Sequence, residues 1–201
     1  MARIKNQSQR REALISATLE TVGQSGLRSL SLADVARRAG LTRGAILYYY
    51  EDLDALLLET HRAGVERFCD HRDDVIAELD DPQDQLSAAI GEGLPSGPDD
   101  ALMRLLYEFD VLAGTSSAHD EMVENMFNRQ MKIYQDVLAA GIEAGVFVPV
   151  IPVDQLALNL VALEDAYGLH IVAGNSLMTV ERAKEAMHAA ATGLGAPPSR
   201  S

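Results

Sequence analysis

The sequence predicts an all-α protein in which an N-terminal three-helix domain, built around a helix-turn-helix, precedes a larger helical domain. Three observations carry this. Apolar residues recur at i, i+3, i+4 spacing through nearly the whole chain. Strand-like alternation is confined to 146–153, where Pro149 and Pro152 argue for a loop. Glycine and proline fall between the periodic runs, at Gly26, Gly40, Pro82, Pro95 and Pro98.

In order along the chain, a first amphipathic helix over 9–23 places Ala13, Leu14, Ala17, Thr18 and Val22 on one face, with Ser8 as cap and Gly26 as stop. Ser31 opens a second helix: its hydroxyl can cap, Asp34 lies in the first turn, and Leu32, Val35, Ala36 and Ala39 share a face before Gly40. After Leu41, Thr42 caps a third helix over 42–50 (TRGAILYYY), with Ala45, Ile46 and Tyr49 or Tyr50 at inward spacing. Two short helices joined by a glycine-containing turn form a helix-turn-helix, whose second helix is offered to the major groove of DNA.

A long bridging helix over 52–78 ends before Pro82, which cannot continue it. Helices are then predicted over 83–92, 99–113, 120–145, 153–173 and 180–192, and the terminal GAPPSRS reads as a frayed tail. The domain division is 1–52, 53–195 and a tail at 196–201. The last two long helices are rich in Leu, Val and Ala with small residues interleaved, which suits either pairing with a second copy in a four-helix interface or an internal pair.

Charge separates the two parts. The net charge of -13 is hostile to a polyanion, yet the first 50 residues carry +5, leaving -18 on the other 151. Such asymmetry fits a protein that brings one end to nucleic acid. No run approaches 18 uncharged apolar residues and no leader-like stretch follows the basic start, so a cytoplasmic protein without a membrane partner is expected. Cys69 stands alone, His61, His71, His119, His170 and His188 lack metal-ligand spacing, and neither a glycine-rich phosphate loop nor a nucleophile motif occurs. Neither an enzyme, nor a metal site, nor a cofactor is expected.

The segment from Leu30 to Leu57 resembles the TetR family of transcriptional regulators. Val35 and Ala36 stand at its hydrophobic-Ala pair, Ala39 and Gly40 at the turn, Thr42 and Gly44 at the opening of the recognition helix, and Leu56 and Leu57 at the start of the bridging helix. The resemblance implies binding to double-stranded operator DNA by a homodimer whose C-terminal helical domain dimerises and binds a small-molecule effector, as a repressor released by that effector. The DNA-binding candidates in this segment are Thr42, Arg43, Gly44, Ala45, Tyr48 and Tyr49, to which charge adds Lys5 and Arg28. Thr42 can donate to phosphate, Arg43 can grip a guanine bidentately, and Gly44 and Ala45 keep the helix surface low. Tyr48 and Tyr49 would brace sugar and phosphate, with Tyr50 in the place of a core Phe. Leu47 and Leu53 replace a Tyr and a Lys of the family pattern, so Lys5, Arg10, Arg11 and Arg28 are candidates to supply phosphate contacts instead.

In the C-terminal half the chemical oddity is acid inside apolar helices. Asp110, Glu164 and Asp165 must each be exposed, paired or used on a ligand, because an unpartnered carboxylate out of water costs several kcal/mol. Tyr107 shares a face with Asp110, and Tyr167 with Glu164, while His170 lies on the same helix as Glu164 and Asp165. Rings beside carboxylates suit a cationic amine such as a polyamine or choline-like compound; a neutral hydrophobic effector is the rival. From another class, the rival to the regulator is a helical enzyme or scaffold with a vestigial DNA-binding motif.

Overall fold

The computed structural model describes residues 2–110, 114 and 117–199, with side chains from Gln7 onward. All the regular elements among them are helices: α1 (Ala2–Ser25), α2 (Leu32–Ala39), α3 (Arg43–Leu47), α4 (Leu53–Ala77), α5 (Pro82–Gly93), α6 (Ala101–Asp110), α7 (Ser117–Glu143), α8 (Val153–Val172) and α9 (Val180–Gly193), with a single 3-10 turn at Leu27–Ser29. The predicted fold class is the observed one.

The chain forms two compact units, 1–66 with 101–123, and 67–100 with 124–201. In the first, α1 packs against α2 and α6, and α2 against α3. Leu14, Val22, Val35, Ile46, Leu56, Leu105 and Phe109 are completely buried there, each contributing roughly 1.5–3 kcal/mol by leaving water. Ser31 caps α2 by accepting the Asp34 N–H at 3.3 Å. Gly40 ends it in the left-handed region at φ 64°, and the next residue, Leu41, donates to the Ala36 carbonyl at 2.9 Å. Only a residue without Cβ turns so sharply at little cost.

Two boundaries differ from the sequence reading. α1 starts seven residues earlier than predicted. The helix expected over 42–50 stops at Leu47, because its last turn tightens: the Tyr49 and Tyr50 N–H groups both donate to the Ile46 carbonyl, at 2.8 and 3.0 Å. The three tyrosines therefore lie on a turn, with Tyr48 exposed, Tyr49 half-buried and Tyr50 buried.

In the second unit α8 packs on α9 and both on α5. Leu86, Ile90, Leu138, Leu156, Leu160 and Met187 form its core. Pro82 opens α5 behind the Asp81 cap, whose carboxylate accepts the Gln83 N–H at 2.7 Å. The predicted frayed tail is corrected. Ala196 is buried, the Pro197 carbonyl accepts from the Gln83 side chain at 2.9 Å, and the Ser199 N–H donates to the Gln83 carbonyl at 3.0 Å. The 146–152 segment is a loop as expected, and α8 begins at Val153. Its alternation has a cause, since the Val148 and Val150 N–H groups pair with the Gly195 and Leu194 carbonyls at 2.8 and 3.0 Å.

The first unit also holds a stack of three rings. His61 on α4 lies 4.1 Å from Phe109 on α6 and meets His119 on α7, the two Nδ1 atoms 3.2 Å apart. Burial, with the His119 imidazole beside it, pushes His61 down to about 4. Above pH 6.5 both folded and unfolded chains hold it neutral, and no pH dependence arises from it. Between 6.5 and 4 the unfolded chain binds a proton that the folded chain refuses, so stability falls as pH falls, by up to about 3 kcal/mol. Urea unfolding at pH 7 and pH 4.5 is expected to show this loss, and His61→Phe to remove most of that difference.

Candidate functional site

The reading head is assembled by local interactions. Thr42 caps α3, its hydroxyl oxygen accepting the Ala45 N–H at 3.1 Å, which leaves its O–H free to donate outward. Arg43 and Gly44 are exposed at the start of the helix and Ala45 is half-buried, while Ile46 anchors the other face in the core. Tyr48 stands out at 66% exposed and meets Tyr49 edge to face, ring centres 5.1 Å apart. Leu47 is 43% exposed, an apolar side chain beside the reading surface. Arg28 is exposed on the 3-10 turn. Among the described residues neither Arg28 nor Arg43 makes an ion pair, so both guanidiniums are free for an anionic partner. The Lys5 side chain lies outside the described residues.

Arg11 is not a free phosphate ligand, contrary to the sequence reading. Its guanidinium donates to Glu59 at 2.7 Å and to the Tyr49 carbonyl at 3.3 Å, and lies over the Tyr50 ring at 5.2 Å. It joins α1 to the turn after α3 and to α4, and so acts as a positioning residue for the reading head. Arg37 and Arg38 are likewise engaged, with Asp34 and with Glu20 respectively.

Of the candidate ligand residues, Tyr107 and Asp110 belong to the first unit, Tyr107 buried and Asp110 exposed at the end of α6. The other four lie on α8 in the second. Tyr167 is half-buried against the core, and His170 is exposed beside Asn175 at 3.3 Å. Asp165 is half-buried, 3.5 Å from the Gln130 amide.

Glu164 is completely buried and saturated. Arg72 on α4 grips it bidentately, Nη1 to Oε1 at 3.0 Å and Nη2 to Oε2 at 2.8 Å. From α7, the Gln130 amide donates to Oε1 at 2.8 Å and the Tyr134 hydroxyl to Oε2 at 2.7 Å. Burial works against the Arg72 charge, but Glu164 and Tyr134 raise its proton affinity above the ordinary guanidinium. Burial, and then the Glu164 charge, holds Tyr134 neutral. The guanidinium also lies 4.8 Å from the Tyr134 ring centre and 6.0 Å from that of Phe68. Among the described residues its Nε has no partner, an orphan donor that costs about 1–3 kcal/mol. Arg72, Gln130 and Tyr134 are the residues that sequence reasoning missed. The unusual Glu164 was visible in the sequence, but its cation lies 92 residues away in a polar run, DHRDD, that reads as a solvated face.

Gly93 closes the cluster. A Cβ there would collide with the Glu164 carboxylate and lie 2.7 Å from the Arg72 Nη2 atom. Both obstacles are locked in place, so Gly93→Ala is expected to cost on the order of 2–3 kcal/mol, read as a lower urea midpoint.

These features have counterparts in known proteins. Residues 14–60 match the family described as "Bacterial regulatory proteins, tetR family". That stretch is similar to the N-terminal domain of TetR-family proteins. The TetR-family match holds over part of the chain: it is 42% identical over 62 residues to the HTH-type transcriptional regulator BetI of Escherichia coli (strain K12 / DH10B), which is 31% of this chain and 32% of BetI. The aligned region thus spans about a third of the length of these curated relatives.

Likeness in fold extends further. A TetR transcription regulator from Haloarcula marismortui ATCC 43049 superposes with TM-score 0.84 at 23% identity, over 94% of this chain and 99% of that one. A protein from Saccharomonospora viridis crystallised in complex with choline does so with TM-score 0.85 at 18% identity, over 92% of this chain and 96% of its own. At such identities the likeness shows the TetR fold alone. BetI and the Haloarcula marismortui protein are both described as transcriptional regulators. Among the described residues no helix is long and apolar enough to cross a membrane.

Proposed function

We propose that the chain is a ligand-responsive, DNA-binding transcriptional regulator of the cytoplasm, a homodimeric repressor that leaves its operator when a small molecule binds. The observation that carries this is the TetR-family reading head, with Arg43 exposed and unpaired at the start of α3 and Arg28 and Tyr48 exposed on the flanking turns. Residues 1–52 read DNA in this account. Arg43 reads a base edge, Gly44 and Ala45 allow close approach, and Arg28, Lys5, Thr42, Tyr48 and Tyr49 hold the backbone.

Residues 53–195 sense and dimerise. α8 leaves Leu158, Ala162, Ala166, Leu169 and Ala173 exposed at helical spacing while its other face packs inside the unit, which suits apposition of two copies. The effector is a compact organic cation. A buried carboxylate beside an aromatic ring has the chemistry to hold one, and a protein of the same fold was crystallised with choline. Within this reading Glu164 provides the charge, Asp165 and Tyr167 of the same unit are auxiliary, and the exposed Asp110 and His170 have no part.

The test is a mobility shift of the DNA upstream of the protein's own gene, run with choline, spermidine or a long-chain acyl compound. Release by choline supports the full reading. Release by the acyl compound alone replaces the effector class with a hydrophobic one, and a shift that no salt concentration or competitor DNA alters overturns the regulator.

A further inference from the structure

Given an effector-responsive regulator as above, we propose that Arg72 is the resting occupant of the cation site, and that a quaternary ammonium effector acts by displacing its guanidinium from Glu164 and the Tyr134 ring. Glu164 accepts four hydrogen bonds, two of them from Arg72. Removal of the guanidinium leaves a carboxylate that Gln130 and Tyr134 still orient, beside a Tyr134 face that lay 4.8 Å from the departing charge. These are the two elements that recognise an organic ammonium, a counter-charge and a π face.

The two occupants differ in one respect that makes exchange feasible. Arg72 brings an N–H, at Nε, that finds no acceptor among the described residues. A quaternary ammonium has no N–H donor, so it takes the charge interaction without creating that orphan. The Gly93 backbone closes the third side so tightly that no side chain fits, and the room for an ammonium is that vacated by the guanidinium. A released guanidinium meets acidic charge nearby, since Asp74 is exposed on the same helix within a turn of Arg72, next to Asp70 and Asp73, which Arg129 already pairs.

Displacement also has a mechanical consequence. Arg72 ties α4 to α8 through Glu164, and α4 is one continuous helix from Leu53 to Ala77. Exchanging the internal cation for a diffusible one frees α4 from that tie, and it does so only for a ligand that binds the released state better than the tied one.

The experiment follows the Arg72 Nε–H by NMR in the intact protein, assigned by its loss in Arg72→Lys. Buried, this proton exchanges slowly with water. Saturation with choline or tetramethylammonium is expected to move the signal into fast exchange, and Arg72→Lys, with a shorter reach to Glu164, is expected to bind choline at least tenfold more tightly by calorimetry. An unperturbed Arg72 signal at saturating choline, with operator release intact, overturns displacement and leaves the effector reading standing. Calorimetry showing no choline binding to the wild type and to Arg72→Lys overturns both.

Discussion

Glu164→Ala is expected to remove about 3–5 kcal/mol of folding stability, the cost of leaving a buried charge without its partner. The substitution strands the Arg72 guanidinium, the Tyr134 hydroxyl and the Gln130 amide together, all of them buried. Because a domain of this size is stable by only about 5–15 kcal/mol, the variant should approach the threshold of folding at 37 °C. Glu164→Gln keeps an acceptor for Tyr134 but still leaves Arg72 charged, so it should also be costly. Arg72→Met combined with Glu164→Gln should recover about half of the loss, since it removes both charges together. Urea unfolding of the four proteins reads this directly. If Glu164→Ala were as stable as the wild type, the cluster would not hold the second unit together.

Arg43→Ala is expected to weaken operator binding by about 1–3 kcal/mol, roughly 5- to 150-fold, and to relax selectivity at one base pair of each half-site. Folding stability should not change, because Arg43 is exposed and makes no ion pair among the described residues. Arg28→Ala should act differently, weakening all sequences alike and reducing the salt slope by about one. Arg11→Ala differs from both. It removes bonds to Glu59 and the Tyr49 carbonyl, and so should lower stability as well as affinity. Anisotropy titrations on matched and scrambled duplexes, paired with urea midpoints, separate the three.

The reading head was legible because it is local. Ser31, Gly40 and Thr42 act on residues two to five positions away, so their identity alone announces the caps and the turn. The three tyrosines show where that logic ends. Adjacent helix positions cannot all face inward, which correctly requires one ring in solvent, but the sequence does not reveal that the helix stops at Leu47 and hands them to a turn. The buried cluster was half legible. An acid within LVALEDAYG demanded a partner, yet Arg72, Gln130 and Tyr134 come from two other helices, and a guanidinium flanked by His71 and Asp73 looks like surface. The docking of residues 196–199 was hidden for the same reason. Proline and small residues predict fraying, while contacts of Pro197 and Ser199 with Gln83 more than a hundred positions earlier hold it in place.

The most direct measurement is the equilibrium affinity of the full chain for a duplex from upstream of its own gene, as a function of salt, against an unrelated duplex of equal length. The account predicts tight binding at low salt that falls steeply and linearly in log–log form as salt rises, with the unrelated duplex orders of magnitude weaker at each concentration. Equal affinity for the two duplexes, or no binding at the lowest salt, would contradict it.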